Sequence, residues 1–253
     1  MIHLKTAQEI AIMAEGGKKL AEILKELEKM VKPGITPQEI DRVAETLILN
    51  SGSLCSFKGY TADGEFADPY PTCTCICVNE DVVHCAPSDI PLKEGDIVSI
   101  DIGLIHNGYH SDMAKTFAVG TISKEAQKLI DATKKSLDLA IQKIKPGVMA
   151  GDIGAIVQKH IEDNGFGVVR ELCGHGIGKA LHEDPQILNY GKPGTGEKLL
   201  EGMVICVEPI VTMGDFHLKK SGLGYQTKDG SLAAHFEYTI AIMKDGCKVL
   251  TVC

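Results

Sequence analysis

Residues 32–52 read KPGITPQEIDRVAETLILNSG, and residues 145–165 read KPGVMAGDIGAIVQKHIEDNG. Both begin with Lys-Pro-Gly, carry Ile eight residues after the lysine and close on Gly. The likeness continues in the same order along the chain. VHCAP at 83–87 answers LHEDP at 181–185, each as His-x-x-Pro, and LKEGDIVSID at 92–101 answers LLEGMVICVE at 199–208. His110-Ser111-Asp112 is echoed by His235-Phe236-Glu237. Each match is short, but their common order points to a duplicated unit. Two copies are too few for a solenoid. The expectation is one domain over residues 1–253, built from two related α+β halves of about 1–122 and 123–253.

Local signals fill in these halves. Thr6 followed by Glu9 is a capping box, and behind it Ile10, Met13, Gly17, Leu20, Leu24 and Leu27 recur at helical spacing. Lys32-Pro33-Gly34 stops that helix. Thr36-Pro37-Gln38-Glu39 starts the next, with a cap, a proline at the first helical position and a reciprocal glutamate. Further helices are predicted near 124–144 and 151–164, and strands over 97–102, 109–119, 203–211, 237–243 and 248–252.

Composition narrows the function. A net charge of −8 and the lack of any basic block disfavour direct nucleic-acid binding. The amino-terminal residues lack the apolar run of a signal peptide, and no stretch reaches the ~18 apolar residues needed to cross a bilayer. A cytoplasmic protein without membrane association is expected. In that compartment thiols stay reduced, so a disulfide framework from the nine cysteines is not expected. Cys73, Cys75 and Cys77 alternate and are read as buried side chains on one face of a strand, not as a zinc cage, which needs a turn between ligand pairs.

The repeat has a chemical consequence. Asp101 and Glu208 are predicted to end equivalent strands, and Asp112 and Glu237 also correspond. Packing about a pseudo-twofold axis would bring these four acids together inside apolar runs such as IVSIDIG and VICVEPIV. Two carboxylates ~4 Å apart repel by about 4 kcal/mol at an effective dielectric of ~20. Several such pairs would rival a domain's whole stability of roughly 5–15 kcal/mol. The strands concerned carry almost no basic residues, Lys115 being the closest in sequence. Divalent cations are the economical counter-charge. CGHGIGKALHEDP at 173–185 adds imidazoles, with His175 between glycines that let backbone crowd close and His182 seven residues on. His3, His106, His160 and His217 lack such a setting and are read as structural. HEDPQ at 182–186 departs from the zinc-protease motif HExxH, because Gln186 stands at the fifth position and Pro185 disrupts the required helix.

VNEDVVHCAP, VSIDIG, NGYHSDMAKTF, CGHGIGKALHEDP, VEPIV and TKDGSLAAHFEYT together resemble the type I methionine aminopeptidases of the pita-bread metallopeptidase family, over roughly residues 5–251. The resemblance implies an α+β pita-bread fold, with two pseudo-twofold-related halves and a curved, mainly antiparallel sheet backed by helices. It implies a single catalytic domain with metal ligands Asp101, Asp112, His175, Glu208 and Glu237, of which Asp112 and Glu237 bridge. His84 and His182 would contact substrate. Two divalent ions, Co²⁺, Mn²⁺, Fe²⁺ or Zn²⁺, suit mostly oxygen donors with one imidazole. A water bridging such ions ionises near neutral pH and can attack the first peptide bond. Glu208 would carry its proton to the leaving amine, and His84 and His182 would stabilise the charge that develops. The implied substrates are the N-termini of nascent polypeptides, met near the ribosome, and the implied state is a monomer of the short bacterial form.

For the pocket, the resemblance implies Tyr60, Cys75, Leu181 and Leu223 as lining residues. Leu181 stands where the family usually has an aromatic residue, and Leu223 where it often has tryptophan. Residues 61–70, TADGEFADPY, read as an insertion. Such changes affect substrate selection, where one methylene is worth only ~1–3 kcal/mol. An aminopeptidase of the same fold with broader or Xaa-Pro specificity, or a non-catalytic binding module, are the rival readings.

Overall fold

A computed structural model describes residues 2–61 and 68–253. The predicted insertion therefore falls, at 62–67, outside the described residues. Helix α1 spans Ala7–Glu28 and α2 Pro37–Asn50. Both start as predicted. Thr6 and Thr36 each accept from the N–H of the third helical residue, while Glu9 and Glu39 accept in return from the cap N–H at 2.8 Å. Helices α3 (Lys124–Lys143) and α4 (Ala150–Asp163) follow in the second half.

The strands are β1 (Leu54–Cys55), β2 (Thr74–Val78), β3 (Asp81–Val83), β4 (Ile97–His106), β5 (Tyr109–Ala118), β6 (Gly167–Val168), β7 (Gly174–Gly176) and β8 (Glu183–Ile187). After them come β9 (Val204–Val207), β10 (Ile210–Thr212), β11 (Leu218–Ser221), β12 (Gly224–Thr227), β13 (Ala233–His235), β14 (Glu237–Met243) and β15 (Gly246–Val249). The main sheet curls in the order β1-β4-β5-β14-β9-β7-β8, with β2 also on β4 and β15 on β14, and its pairs are antiparallel. Two three-stranded sheets, β13-β10-β6 and β11-β12-β3, flank it.

The duplication read from the sequence reappears in the hydrogen bonds. Gly34 (φ 92°) and Gly147 (φ 91°), the glycines of the two Lys-Pro-Gly turns, both occupy the left-handed region. The Gly34 N–H donates to the Leu92 carbonyl and the Gly147 N–H to the Leu199 carbonyl, each at 2.8 Å. Leu92 answers through the Ile35 carbonyl and Leu199 through the Val148 carbonyl, again at 2.8 Å. Each half also has its own apolar core. In the first, Leu20, Leu24, Leu27, Ile40 and Ile48 of the helices pack on Val98, Ile100 and Ile102. In the second, Leu129, Leu137, Ile153 and Val157 pack on Ile205, Val207 and Ile240. β5 and β14 join the halves at the centre of the sheet.

Four expectations are corrected. The predicted strand 203–211 is two strands, because Pro209 has no N–H to continue the ladder: β9 pairs with β14 and β7, while β10 leaves for another sheet. Asp101 lies within β4, which runs on to His106, and does not end it. Cys55 and Cys73 form a disulfide. Cys73 precedes β2 and packs in the first-half core, so it does not share a face with Cys75, which faces a different apolar cluster. Among the described residues no helix is long and apolar enough to cross a membrane.

Candidate metal centre

The register of the central strands brings the acids together. Asp101 pairs with Ala114, and Gly103 pairs with Asp112. Because side chains alternate, Asp101 and Asp112 are diagonal neighbours on one face of β4 and β5. Glu237 at the start of β14 also pairs with Ala114, so it joins the same face. Ligand atoms of Asp101, Asp112 and Glu237 lie within 4.8 Å of one another. Thr239 locks this arrangement across the seam. Its hydroxyl accepts from the Asp112 N–H at 2.9 Å and donates to the Asp112 carbonyl at 2.8 Å.

The other donors come from the second half. Glu208 sits in the break between β9 and β10, where the Asn189 side chain donates to its carbonyl at 2.9 Å. His175 lies on β7 between Gly174 and Gly176. A Cβ at either glycine would collide with the carbonyl of Cys206 or Asp184, so only glycine lets the neighbouring strands close on the histidine. The His175 Nδ1–H donates to the Gly176 carbonyl at 2.8 Å, which leaves the Nε2 lone pair facing Glu208 Oε1 at 3.7 Å.

The electrostatics fit a cation. Asp101 Oδ1, Asp112 Oδ1 and Glu237 Oε1 are buried without a hydrogen-bond partner. Burial pushes the Asp101 carboxyl up to about 7, with Glu208 adding to the rise. Burial, then mutual repulsion, raises Asp112 and Glu237 far above the usual carboxylate range, and burial raises Glu208. His175 is driven down to about 3 by burial and the nearby His182, so its imidazole is neutral and free to donate a lone pair. Charged carboxylates this deep need positive charge beside them. Mostly oxygen donors and a neutral imidazole fit a divalent transition ion.

The acids line a cleft of about 700 Å³, and Phe57, Tyr60, Tyr70, Cys75 and Leu181 line it with them. Cys75 pairs directly with Asp101 across β2 and β4, which turns its thiol to the same face. Leu223 is not among the cleft-lining residues; it packs against the apolar cluster that includes Tyr70, Cys75 and Leu181. His84 follows β3 with φ 58°, a costly conformation outside glycine, and burial lowers it to about 4. His182 Nδ1 lies 2.8 Å from the Tyr60 hydroxyl, and its ring meets His175 edge-on at 4.4 Å between centroids. Both histidines line the cleft, as does His3, for which the sequence predicts only a structural place. The sequence reading also gave no role to His235, which is buried beside Glu208. Its signal was the His-x-acid echo between His110 and His235.

Comparison with known proteins agrees with this geometry. Residues 11–244 match the family model for metallopeptidase family M24. The chain is 46% identical to a methionine aminopeptidase of Clostridium perfringens, covering 100% of this chain and 99% of that protein, and 44% identical to methionine aminopeptidase 1 of Bacillus subtilis, covering 99% of each. It superposes on the crystal structure of a methionine aminopeptidase from Thermotoga maritima with a TM-score of 0.95 at 40% identity over the whole of both chains. A prolidase from Pyrococcus horikoshii shares the architecture at a TM-score of 0.75 and 25% identity, but this chain spans only 63% of it. A cleft of buried acids built by two halves and a full-length match to these peptidases agree: the chain belongs to metallopeptidase family M24.

Proposed function

We propose that the chain is a dinuclear-metal aminopeptidase that removes the N-terminal methionine of newly made proteins. The observation that carries this reading is that Asp101, Asp112, Glu237, Glu208 and His175 all line one cleft together with Phe57, Tyr60, Tyr70, Cys75 and Leu181. Asp101, Asp112, His175, Glu208 and Glu237 would hold two divalent ions. Such ions supply a Lewis acid for the scissile carbonyl and lower the pKa of water toward neutrality.

The chain's own residues do the rest. Phe57, Tyr60, Tyr70, Cys75 and Leu181 receive the first side chain of the substrate. Burial keeps the Cys75 thiol protonated, so a soft, neutral sulfur faces the pocket. With the Tyr60 hydroxyl donating to His182 Nδ1, the proton of this ring sits on Nε2 and can be donated to substrate. His84, neutral and held in a left-handed backbone, is the second donor, and the two stabilise charge developing at the cleaved amide. Glu208, which lines the cleft beside His175, takes the proton of the attacking water and returns it to the leaving amine. The whole chain acts as one catalytic domain, its halves meeting near residues 122 and 123, and its substrates are nascent chains in the cytoplasm.

Turnover of Met-Ala-Ser, Leu-Ala-Ser and Ala-Pro-Ser by protein loaded with Mn²⁺ or Co²⁺ tests the reading. Methionine should leave fastest. Faster release of alanine from Ala-Pro-Ser would replace this function with an Xaa-Pro peptidase, and no hydrolysis of any peptide would favour a binding module.

A further inference from the structure

The five expected ligands do not exhaust the donors at the centre. His235 is 2% exposed, and its Nε2 is buried without a hydrogen-bond partner. That atom lies 3.6 Å from Glu208 Oε2, while His175 Nε2 lies 3.7 Å from Oε1 of the same carboxylate. Glu208 is thus bracketed by two imidazoles, one at each oxygen.

The ring is held where it is. The His235 N–H donates to Thr116 Oγ1 at 2.9 Å, and the same hydroxyl donates back to the His235 carbonyl at 2.9 Å. Thr116 Oγ1 also lies 2.8 Å from Ser99 Oγ. β13 fixes the residue from the other side, where His235 pairs with Ile210. The break at Phe236, between β13 and β14, lets His235 turn independently of Glu237. Its counterpart in the first half, His110, has no such role: its Nδ1 lies 3.0 Å from Ser56 Oγ.

An imidazole nitrogen buried without a partner is costly, and an apolar residue would avoid the cost. A separation of 3.6 Å is too long for a hydrogen bond to Glu208. It is close to the spacing of two donors to one cation, since donors ~2.1 Å from an ion at angles of roughly 90–110° lie ~3.0–3.4 Å apart. The His175–Glu208 spacing has the same character.

We propose that His235 Nε2 is a metal donor, giving the centre a second imidazole beside Glu208 where the five-ligand set offers only that of His175. The proposal rests on the dinuclear reading above. It makes the centre softer, so it favours Fe²⁺, Co²⁺ and Zn²⁺ over Mn²⁺ beyond what carboxylates alone would do.

The test is a Co²⁺ titration of metal-free wild type and His235→Gln by calorimetry and visible absorption, with ¹H NMR of the Co²⁺-loaded proteins. Wild type should bind two ions and show hyperfine-shifted signals from two coordinated imidazoles. His235→Gln should keep one ion at wild-type affinity, bind the other on the order of 10–100-fold more weakly, and show one shifted ring. Should His235→Gln fold poorly, the count of shifted rings in wild type decides alone. Two ions with one shifted ring, or unchanged affinities in the variant, would overturn the role of His235 while leaving the dinuclear reading intact. A single ion ligated by two rings would overturn the dinuclear reading and support His235 as a donor.

Discussion

Thr239→Val should loosen the joint between the halves. Thr239 is fully buried, and its hydroxyl serves both backbone groups of Asp112 across the β5–β14 seam. Only two registered residue pairs join these strands, Glu237 with Ala114 and Tyr238 with Met113, so the hydroxyl extends a short ladder. Valine matches threonine in shape but can neither accept from the Asp112 N–H nor donate to its carbonyl. Each buried backbone group left unsatisfied costs about 1–3 kcal/mol. Part of this is recovered by relaxation, so the expected loss is about 2–4 kcal/mol, a large share of a typical stability of roughly 5–15 kcal/mol. Urea denaturation in EDTA isolates the effect from metal linkage. The midpoint should fall by on the order of 1 M at unchanged m-value. Thr239→Ser keeps the hydroxyl and should lose less than half as much. A loss under ~0.5 kcal/mol for valine, or an equal loss for serine, would refute the seam's dependence on this hydroxyl.

Other outcomes follow from the same geometry. Asp112→Asn removes a negative charge from the acid cluster, so activity should vanish and bound metal fall below two ions per chain by elemental analysis. His84→Ala should lower turnover while metal content stays; loss of metal would contradict its placement on the substrate side. The Cys55–Cys73 bond spans 18 residues, and by chain entropy such a loop is worth about 3 kcal/mol. Cys73→Ser should lose at least that much in non-reducing buffer, and in dithiothreitol only the smaller cost of burying a hydroxyl in an apolar core. The metal-free protein should also have an asymmetric pH profile. Asp101, Asp112, Glu208 and Glu237 have raised native pKa values, so their stabilising contribution is present below about pH 4 and is lost as pH rises, through about 7 for Asp101. His84 and His175 are lowered to about 4 and 3, so their contribution is present above about pH 6.5 and is lost as pH falls. The two trends oppose each other between roughly pH 4 and 6.5. Above that only the acids count, and stability should go on falling as pH rises. Adding Mn²⁺ should remove the fall; a flat metal-free profile from pH 6.5 to 8 would contradict the buried-acid account.

Local chemistry made much of this legible in sequence. Thr6, Glu9, Thr36 and Glu39 announce the helix starts because the capping box is satisfied within four residues. The Lys-Pro-Gly turns could be matched because glycine is what the left-handed position needs. Asp101, Asp112 and Glu237 stood out as acids within apolar strands, and the register then put them on one face. The disulfide was hidden because it depends on non-local pairing: β1 and β2 both run along β4, with Cys55 opposite Leu104 and Thr74 opposite Ile102, which brings Cys73 to Cys55. His235 was marked in sequence only by its echo of His110, for a related reason. Its exposure to the acids comes from the strand break at Phe236, and no local signal marks where β13 ends.

Anomalous diffraction from crystals loaded with Co²⁺, recorded at the cobalt edge, tests the central claim most directly. The account predicts two peaks ~3.5–4 Å apart, enclosed by Asp101, Asp112, His175, Glu208 and Glu237. Peaks confined to surface acids, with these five side chains ligating nothing, would contradict it.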